Sequence, residues 1–376
     1  MNDALAALSR AGVSLWLHDL SRERLAAGRL ADLAAQDCVT GVATNPGTVA
    51  AAIAGGDAYD AQLRDLAARG IGVQEALRAL TTFDARWACD VLRPAYEASA
   101  GADGRVSVEV DPRLAHDAAA TVAEARALWW LVDRPNLLIK IPATRQGIPA
   151  AADCLAGGIS VHVTLLFSVQ RYREVTAAFL DGLERARQAG HDLSAIASAA
   201  SFFVSRLDTE VDARLDKIGT AASAALRGQA AIANARLAYQ HYEQVFAGAR
   251  WAALRDAGAR PQRPVWASTS VKDPAYPATR YVTDLVAPGV VNTMSEATLR
   301  LVAEHGVVPA DSVRPYYADA RQVLGGLRQA GVDYDDVLQT LEDRGAAAFD
   351  TAWAQLGERL AVTLHGAPAR ADGSPA

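Results

Sequence analysis

Eight short apolar segments, each followed by a longer helical pattern, constrain the fold of this chain more than any other feature. Stretches rich in Ala, Leu and Arg separate the segments and have helical spacing of their apolar residues. Strands that alternate with helices favour parallel pairing through right-handed crossovers. Eight such units predict an α/β fold of the closed (β/α)8 barrel type. The predicted strands are 13–17, 41–44, 105–110, 137–141, 158–166, 198–204, 264–268 and 290–293, and the clearest predicted helices are 111–131, 170–189 and 219–247.

The domain organisation predicted from these patterns is one barrel over residues 1–364. A chain of 376 residues is compatible with this, because α/β barrels often exceed about 250 residues as one domain. We expect 71–97 to form extra helix packed outside the barrel and 98–104 to form a loop. The last residues, 365–376, are rich in Pro, Gly and Ala and are predicted to be a disordered tail.

The charge balance excludes some classes of partner. The chain has 37 Lys and Arg against 43 Asp and Glu, a net charge of −6, which argues against nucleic acid or an anionic membrane as partner. No apolar run approaches the roughly 18–20 residues that span a membrane. The N-terminus lacks the basic and apolar regions of a signal peptide, so we expect a cytoplasmic protein, monomeric or homodimeric. Cys38, Cys89 and Cys154 are odd in number and unpaired by spacing, so we expect reduced packing residues.

A lysine lies inside one of the predicted buried strands. Lys140 stands in the run Leu-Leu-Ile-Lys-Ile, which Pro142 ends. Lysine is rarely buried fully, because removing an ammonium from water is costly. A lysine in a dry pocket tends to lose its proton, and the neutral amine can attack a ketone to form a Schiff base. The alternative is a lysine whose amine reaches solvent at the strand end.

Polar side chains also stand at or near the ends of the other predicted strands. Since the chemistry of such barrels lies where strands end and loops begin, these residues are the candidate site. They are His18, Asn45, Glu109, Lys140, Thr164, Ser201, Arg206, Ser270 and Lys272.

Specific motifs in chain order resemble those of one enzyme family. They are TNP at 44–46, VEVD at 108–111, IKIPAT at 139–144, VTLLFS at 163–168, SFFVSR at 201–206, WAST at 266–269 and VNTM at 291–294. From about residue 5 to residue 360 the sequence resembles transaldolase, particularly the longer actinobacterial-type enzymes. The resemblance implies the same barrel and no metal or organic cofactor. It also implies transfer of a three-carbon dihydroxyacetone unit from a ketose phosphate, fructose 6-phosphate or sedoheptulose 7-phosphate, to an aldose phosphate through a lysine Schiff base, a step of the pentose phosphate pathway.

The resemblance assigns roles to the motif residues. Lys140 matches the Schiff-base lysine, and Glu109 with Thr164 matches the pair that holds a water for carbinolamine dehydration, an acid–base task. The binding residues matched by the resemblance are Asn45 and Ser201 for the sugar chain, Phe203 as an aromatic wall and Arg206 for the phosphate. Lys272 is expected to be a second phosphate cation, although a surface charge is the alternative.

Three positions depart from the family pattern. His18 replaces the aspartate that acts as general base, Ala43 replaces a threonine, and His162 replaces an asparagine that contacts the adduct; Ser270 replaces a glycine of close relatives. Asp19 is not expected to substitute for the missing aspartate, because successive strand residues point to opposite faces. A neutral histidine can itself act as base near neutral pH.

Several interpretations of these departures remain open. One is a transaldolase-like enzyme with retained Schiff-base chemistry and altered donor or acceptor specificity. Another is a catalytically weak or silent sugar-phosphate binder, and a third is an aldol enzyme with a non-sugar acceptor. A zinc or iron site made by His18, His162 and Glu109 is a further possibility, since two imidazoles and a carboxylate suit such metals.

Overall fold

The strands close into the predicted barrel. A computed structural model describes residues 2–365, and in it eight parallel strands pair in chain order, with the eighth returning to the first. Each observed strand overlaps one predicted strand, so the (β/α)8 prediction is confirmed. The strands are β1 (Ser14–Leu17), β2 (Val39–Ala43), β3 (Arg105–Glu109), β4 (Leu137–Pro142), β5 (Val161–Leu166), β6 (Ser198–Phe203), β7 (Arg263–Ala267) and β8 (Val291–Met294).

Helices surround the barrel over the described residues. In chain order they are α1 (Asp3–Arg10), α2 (Arg22–Ala26), α3 (Arg29–Gln36), α4 (Pro46–Ala54), α5 (Asp60–Ala68), α6 (Val73–Val91), α7 (Arg93–Ala98), α8 (Ala118–Val132), α9 (Gly147–Ala156), α10 (Val169–Gln188), α11 (Ser205–Ile218), α12 (Ala221–Ala224), α13 (Ala230–Phe246), α14 (Ala249–Arg255), α15 (Arg280–Thr283), α16 (Glu296–His305), α17 (Tyr317–Gln329) and α18 (Tyr334–His365), with short 3-10 turns at Pro112–Leu114, Leu193–Ala195 and Arg314–Tyr316.

Three predicted helices are divided in the structure. The extra helix 71–97 is α6 and α7, with the break just before Pro94, which lacks the N–H that a continuous helix would need. The stretch 219–247 contains α12 and α13, and 111–131 contains a 3-10 turn before α8. The predicted loop 98–104 follows the end of α7. The helix 170–189 corresponds to α10 almost residue for residue.

Every second side chain of a strand points inward, and these inward-facing side chains fill the barrel interior. One small apolar cluster is separate from the main core between strands and helices. Because residues two apart share a face of a strand, Leu138 lies on the same inner face as Lys140, and Ala199 on the same inner face as Ser201. An apolar layer of the barrel interior therefore lies directly below the polar layer that holds Lys140 and Ser201. The cluster consists of Trp16, Ala43, Leu138, Ala199, Val265 and Val291.

The long helix α18 packs across the carboxyl end of the barrel. Its Phe349 belongs to the main core, and its Trp353 belongs to a second core formed with α4, α5 and α6. The predicted domain boundary at residue 364 stays a prediction. The predicted disordered tail is 365–376; its first residue, His365, belongs to α18, and residues 366–376 lie outside the described part of the chain. Within residues 2–365, no helix has both the length and the apolar character that a membrane span requires.

The tight approach of Trp16 to Gly41 gives a first testable prediction. A Cβ atom at Gly41 would lie 2.5 Å from the Cε2 and Nε1 atoms of the buried Trp16 indole. Because the rigid ring has no room to move, we expect Gly41→Ala to lower the free energy of unfolding by about 1–3 kcal/mol. Urea denaturation measures this. Gly325→Ala is the control, because no atom lies within 4 Å of its added Cβ. Equal stability of the two variants would contradict the packing described.

Candidate active site

A cavity of about 220 Å³ opens at the carboxyl ends of the strands. Most of the polar residues singled out in the sequence line it, which is where the chemistry of such barrels occurs. Glu109 and His162 are exceptions: His162 has no exposed surface, and Glu109 borders a smaller neighbouring cavity together with Thr44 and Asn45. The lining residues are His18, Ala43, Asn45, Thr48, Lys140, Thr164, Ser201, Phe203, Arg206, Ala267, Ser268, Thr269, Ser270, Lys272, Thr293 and Phe349.

Lys140 is buried, and its amino group is hydrogen-bonded inside the barrel. Its Nζ donates to the carbonyl oxygen of Thr44 at 2.8 Å and to Oε2 of Glu109 at 3.1 Å. Strand pairing sets this second contact, because Glu109 and Lys140 are partners across β3 and β4. Lys140 does not reach solvent at a strand end, since only 5% of its surface is exposed.

Glu109 and Thr164 each carry a buried oxygen without a partner among the described residues. They are Oε1 of Glu109 and Oγ1 of Thr164. Burial raises the pKa of the Glu109 carboxyl, and the neighbouring Lys140 partly offsets that rise. Buried polar atoms of this kind are ordinarily satisfied by an ordered water. This part of the site can therefore hold and exchange protons.

An irregularity of strand β5 sets the position of Thr164. Leu165 has a φ of 60°, which is rare for a residue with a branched side chain, and the pairing of β5 with β6 shifts between Val163 and Leu166. Such an irregularity inserts an extra residue and redirects the neighbouring side chains. Backbone in a sparsely populated region is often found at functional sites.

His162 lies deeper than a direct contact with substrate would require. One ring nitrogen, Nδ1, is 2.8 Å from Oγ of Ser107, and the other, Nε2, is 2.6 Å from Oγ of Ser201. The ring has no exposed surface, and the indole of Trp16 packs edge-on against it with centroids 6.1 Å apart. Burial, reinforced by Lys140, holds the pKa of His162 well below its usual range. His162 does not line the cavity itself and reaches it through Ser201; its predicted contact with substrate stays a prediction.

His18 follows the end of β1 and faces the cavity. Its backbone N–H donates to the carbonyl of Met294 at 3.0 Å, which fixes it to the neighbouring strand. Burial lowers the pKa of His18; the cations Lys140 and Lys272 act in the same direction and Asp19 opposes them. Asp19 does not line the cavity and pairs instead with Arg24 at 2.6 Å. The histidine, and not the neighbouring aspartate, is thus available to a ligand.

Two cations, Arg206 and Lys272, line the cavity. Arg206 packs over the ring of Phe203, 5.0 Å from its centroid, and burial lowers the pKa of its guanidinium. Neither Arg206 nor the exposed Lys272 forms an ion pair within residues 2–365. Ser270, two residues before Lys272, lies 2.9 Å from the hydroxyl of Thr298. An anionic group of a ligand would find both positive charges free.

The remaining predicted binding residue is fixed by a helix cap. The side-chain oxygen of Asn45 accepts from the N–H of Thr48 at 3.0 Å and so begins α4. This bond orients the side-chain amide of Asn45 and leaves its NH2 group free to donate to a ligand in the cavity.

Sequence reasoning missed several contributors to the cavity, among them Thr48, Ser268, Thr293 and, most distant in the chain, Phe349. Phe349 of α18 lines it, with its ring centroid 6.0 Å from Nζ of Lys140. No local signal marks Phe349, because it is one apolar residue of a long helix and lies more than two hundred residues after the lysine. Only the packing of α18 over the barrel brings the two together.

The metal site considered from the sequence is not formed. Within the described part of the chain, no group of three or more His, Cys, Asp and Glu side chains is placed to hold a metal ion. Both nitrogens of His162 are engaged by serine hydroxyls, so it is not directed at His18 or Glu109 as a ligand.

A buried lysine paired with a carboxylate at the top of a (β/α)8 barrel is the arrangement of a class I, Schiff-base aldolase-type enzyme. Comparison with known proteins agrees: the family model described as transaldolase/fructose-6-phosphate aldolase matches residues 15–360. The chain belongs to this family, and it is a transaldolase-like transferase, a class in which a lysine forms a Schiff base.

The similar proteins are actinobacterial, as the motifs predicted. A transaldolase of Thermobifida fusca is 62% identical over 364 residues, which cover 97% of this chain and 99% of the relative. A transaldolase of Acidothermus cellulolyticus is 61% identical over the same share of this chain and 98% of its own length. A protein of Streptomyces avermitilis named transaldolase 1 is 58% identical, covering 96% of each chain.

The buried state of His162 predicts a pH-dependent contribution to stability. Its folded pKa lies below the unfolded value of about 6.5, so the unfolded chain binds the proton more readily and stability falls as pH drops below that value. We expect the stability advantage of the wild type over His162→Asn to shrink by up to about 1.4 kcal/mol per pH unit below pH ~6.5. Denaturant titrations at several pH values, with pH 8 as reference, measure this. A difference that is constant across this range would contradict it.

Proposed function

We propose that the chain transfers a three-carbon dihydroxyacetone unit from a ketose phosphate to an aldehyde through a Schiff base on Lys140. The observation that carries the proposal is the buried Nζ of Lys140 at the cavity, hydrogen-bonded to Glu109 at 3.1 Å. A buried amine beside a carboxyl is suited to attack on a carbonyl followed by proton transfer. Membership of the transaldolase family supports the same reaction.

Formation of the Schiff base needs a proton donor. Nζ of Lys140 adds to the ketone carbon, and the resulting carbinolamine loses its oxygen as water once that oxygen is protonated. We assign this acid–base step to Glu109 and Thr164, acting through a water. Their unpartnered buried oxygens support the assignment, and the raised pKa of Glu109 favours a carboxyl that carries a proton.

Cleavage of the carbon–carbon bond needs a base. We assign it to His18, which takes the proton of the hydroxyl group as the bond breaks; the aldose phosphate leaves and the three-carbon unit stays on Lys140 as an enamine. The lowered pKa of His18 supports this, since the imidazole is then neutral near pH 7 and can accept a proton. The enamine then attacks the acceptor aldehyde in the reverse sense.

The substrate phosphate is assigned to the two free cations of the cavity. Arg206 and Lys272 both line it, and neither is neutralised by a carboxylate in the described residues. Charge-assisted hydrogen bonds from such groups are among the stronger ones. We propose that Asn45 and Ser201 hydrogen-bond the sugar hydroxyls and that Phe203 forms an aromatic wall of the cavity.

We further propose that donor or acceptor specificity is altered. His18 and Ala43 line the cavity directly, and His162 acts on it by holding the hydroxyl of Ser201. All three departures from the family pattern therefore converge on the region that a bound carbon chain would occupy, whereas Lys140, Glu109 and Thr164 remain. A cytoplasmic location and a monomeric or homodimeric state remain predictions from the sequence.

Borohydride reduction in the presence of fructose 6-phosphate tests the Schiff base. We expect peptide mass spectrometry to find a reduced three-carbon adduct on the Lys140 peptide, because cleavage leaves that unit on the amine. Lys140→Met removes the label, whereas Lys217→Met, which replaces an exposed lysine of α11, retains it. His18→Gln is expected to trap the whole hexose, since a missing general base slows cleavage by about 10²–10⁴-fold.

Two results of the trapping experiment count against the proposal. Labelling on another lysine would refute the assignment of Lys140. No adduct with this donor, together with a rise in Tm on addition of fructose 6-phosphate, would favour the silent binder, because a ligand that binds only the native state stabilises it without turnover.

The altered specificity is tested by restoring the family residues. We expect the triple variant His18→Asp, Ala43→Thr, His162→Asn to gain transaldolase activity with fructose 6-phosphate and an aldose phosphate acceptor. The wild type, measured in parallel, should be slower on this pair, and its kcat/KM gives the comparison. A triple variant that folds, as judged by circular dichroism, yet is no faster than wild type would contradict altered specificity.

A further inference from the structure

A second cavity lies at the opposite end of the barrel, where the strands begin. It has a volume of about 210 Å³ and is distinct from the active-site cavity, with which it shares no lining residue. It is formed around the starts of β3, β4, β6 and β7. Its lining residues are Trp16, Gly101, Ala102, Arg105, Leu138, Ala197, Ser198, Ala199, Tyr242, Arg260, Pro261, Arg263 and Gly289.

One side of this lower cavity is apolar. The indole of Trp16 and the side chains of Leu138 and Ala199 belong to the apolar cluster inside the barrel, and Ala197 packs against it. An apolar cavity on the order of 150 Å³ accommodates benzene in another protein, so the present volume suffices for a ring with a small substituent.

The other side carries more positive than negative charge. Three arginines line it, and the one carboxylate that bonds to any of them in the described residues is that of Asp103, 2.9 Å from Nη1 of Arg263. Arg105 is 2% exposed and has only carbonyl oxygens as hydrogen-bond acceptors, those of Gly101 and Pro135. Burial and the neighbouring arginines lower the pKa of Arg105 to about 10. Arg105 is buried and Arg260 and Arg263 are half-buried, so this side of the cavity carries an excess of positive charge that favours an anion.

Arg260 is the arginine with unused donors. Its Nε donates to the carbonyl of Ser194 at 3.0 Å, and within residues 2–365 its two terminal nitrogens make no further hydrogen bond. Its Nη1 lies beside Gly101, where a Cβ would be only 3.3 Å away, so the guanidinium extends over a cavity-lining glycine. Arg105 and Arg263, by contrast, donate hydrogen bonds to backbone carbonyls near the starts of strands, those of Pro135 and Gly289, and so help to stabilise the fold.

We propose that this lower cavity is a second binding site, for a small molecule with an apolar ring-sized body and one carboxylate. The body packs against Trp16 and Leu138, and the carboxylate accepts from the terminal nitrogens of Arg260. The site is independent of the reaction at Lys140. Stabilisation of the barrel floor accounts for Arg105 and Arg263, whereas the terminal nitrogens of the half-buried Arg260 make no hydrogen bond within residues 2–365 and are available to a ligand.

Fluorine NMR titration of the full chain with para-fluorobenzoate tests the site. We expect saturable binding. The neutral para-fluorobenzamide, which matches its shape, should bind at least about tenfold more weakly, because a charge-assisted hydrogen bond is lost. Inorganic phosphate should not displace the probe at equal concentration, because it lacks the apolar body. Equal binding of the acid and the amide, or displacement by phosphate at equal concentration, would overturn the proposal.

Two variants locate the binding. Arg260→Gln is expected to weaken the affinity for para-fluorobenzoate by about tenfold or more, while Arg255→Gln, an exposed arginine of α14 outside the cavity, leaves it unchanged. Ala197→Leu is expected to abolish binding by filling the apolar side.

The active-site variant Arg206→Gln distinguishes binding of the probe at the lower cavity from binding at the active-site cavity. Retention of binding in this variant is expected. Loss of binding there, or unchanged binding in both Arg260→Gln and a folded Ala197→Leu, would overturn the assignment. Because the probe reports binding alone, failure here leaves the borohydride result at Lys140 unaffected.

Discussion

The upper half of the barrel depends on keeping the amino group of Lys140 out of water and still hydrogen-bonded. A buried lysine without partners would cost several kcal/mol, and here the Thr44 carbonyl and the Glu109 carboxyl offset that cost. Glu109 lies on β3, which pairs with the strand of Lys140, and Thr44 follows β2 on the other side of β3, so the pairing of the barrel strands also sets the placement of the amine. A shift of register by one residue would turn Lys140 toward the surrounding helices and bring Ile139 and Ile141 to the barrel interior.

The inner faces of the strands connect the two ends of the molecule. Trp16 forms part of the lower cavity and packs edge-on against His162, which in turn holds Ser201 at the upper cavity. Gly41 makes room for the indole, since any side chain there would collide with it. The apolar lower layer and the polar upper layer are therefore in direct contact, although their cavities are separate.

The fold could be predicted closely because its signals are local. Each strand is a short apolar segment bounded by polar or Gly-containing loops, and the repetition of strand and helix leaves few topologies. Helix breaks such as the one before Pro94 were missed, because the helical periodicity continues through them. In the site, the reach of His162 to Ser107 and Ser201 could not be predicted, since it depends on side-chain depth inside the barrel and on the irregularity at Leu165.

The sequence by itself determined the barrel, the family and the strand ends on which the polar residues stand, because spacing along the chain encodes which face of a strand a residue occupies. Only the tertiary structure decided that Phe349 reaches Lys140, that Asp19 is engaged by Arg24 and that arginines distant in the chain meet at the barrel floor. Apart from Asp19 and Arg24, which are five residues apart, these contacts join residues far apart in sequence. All of them depend on how helices and loops pack, which no local pattern records.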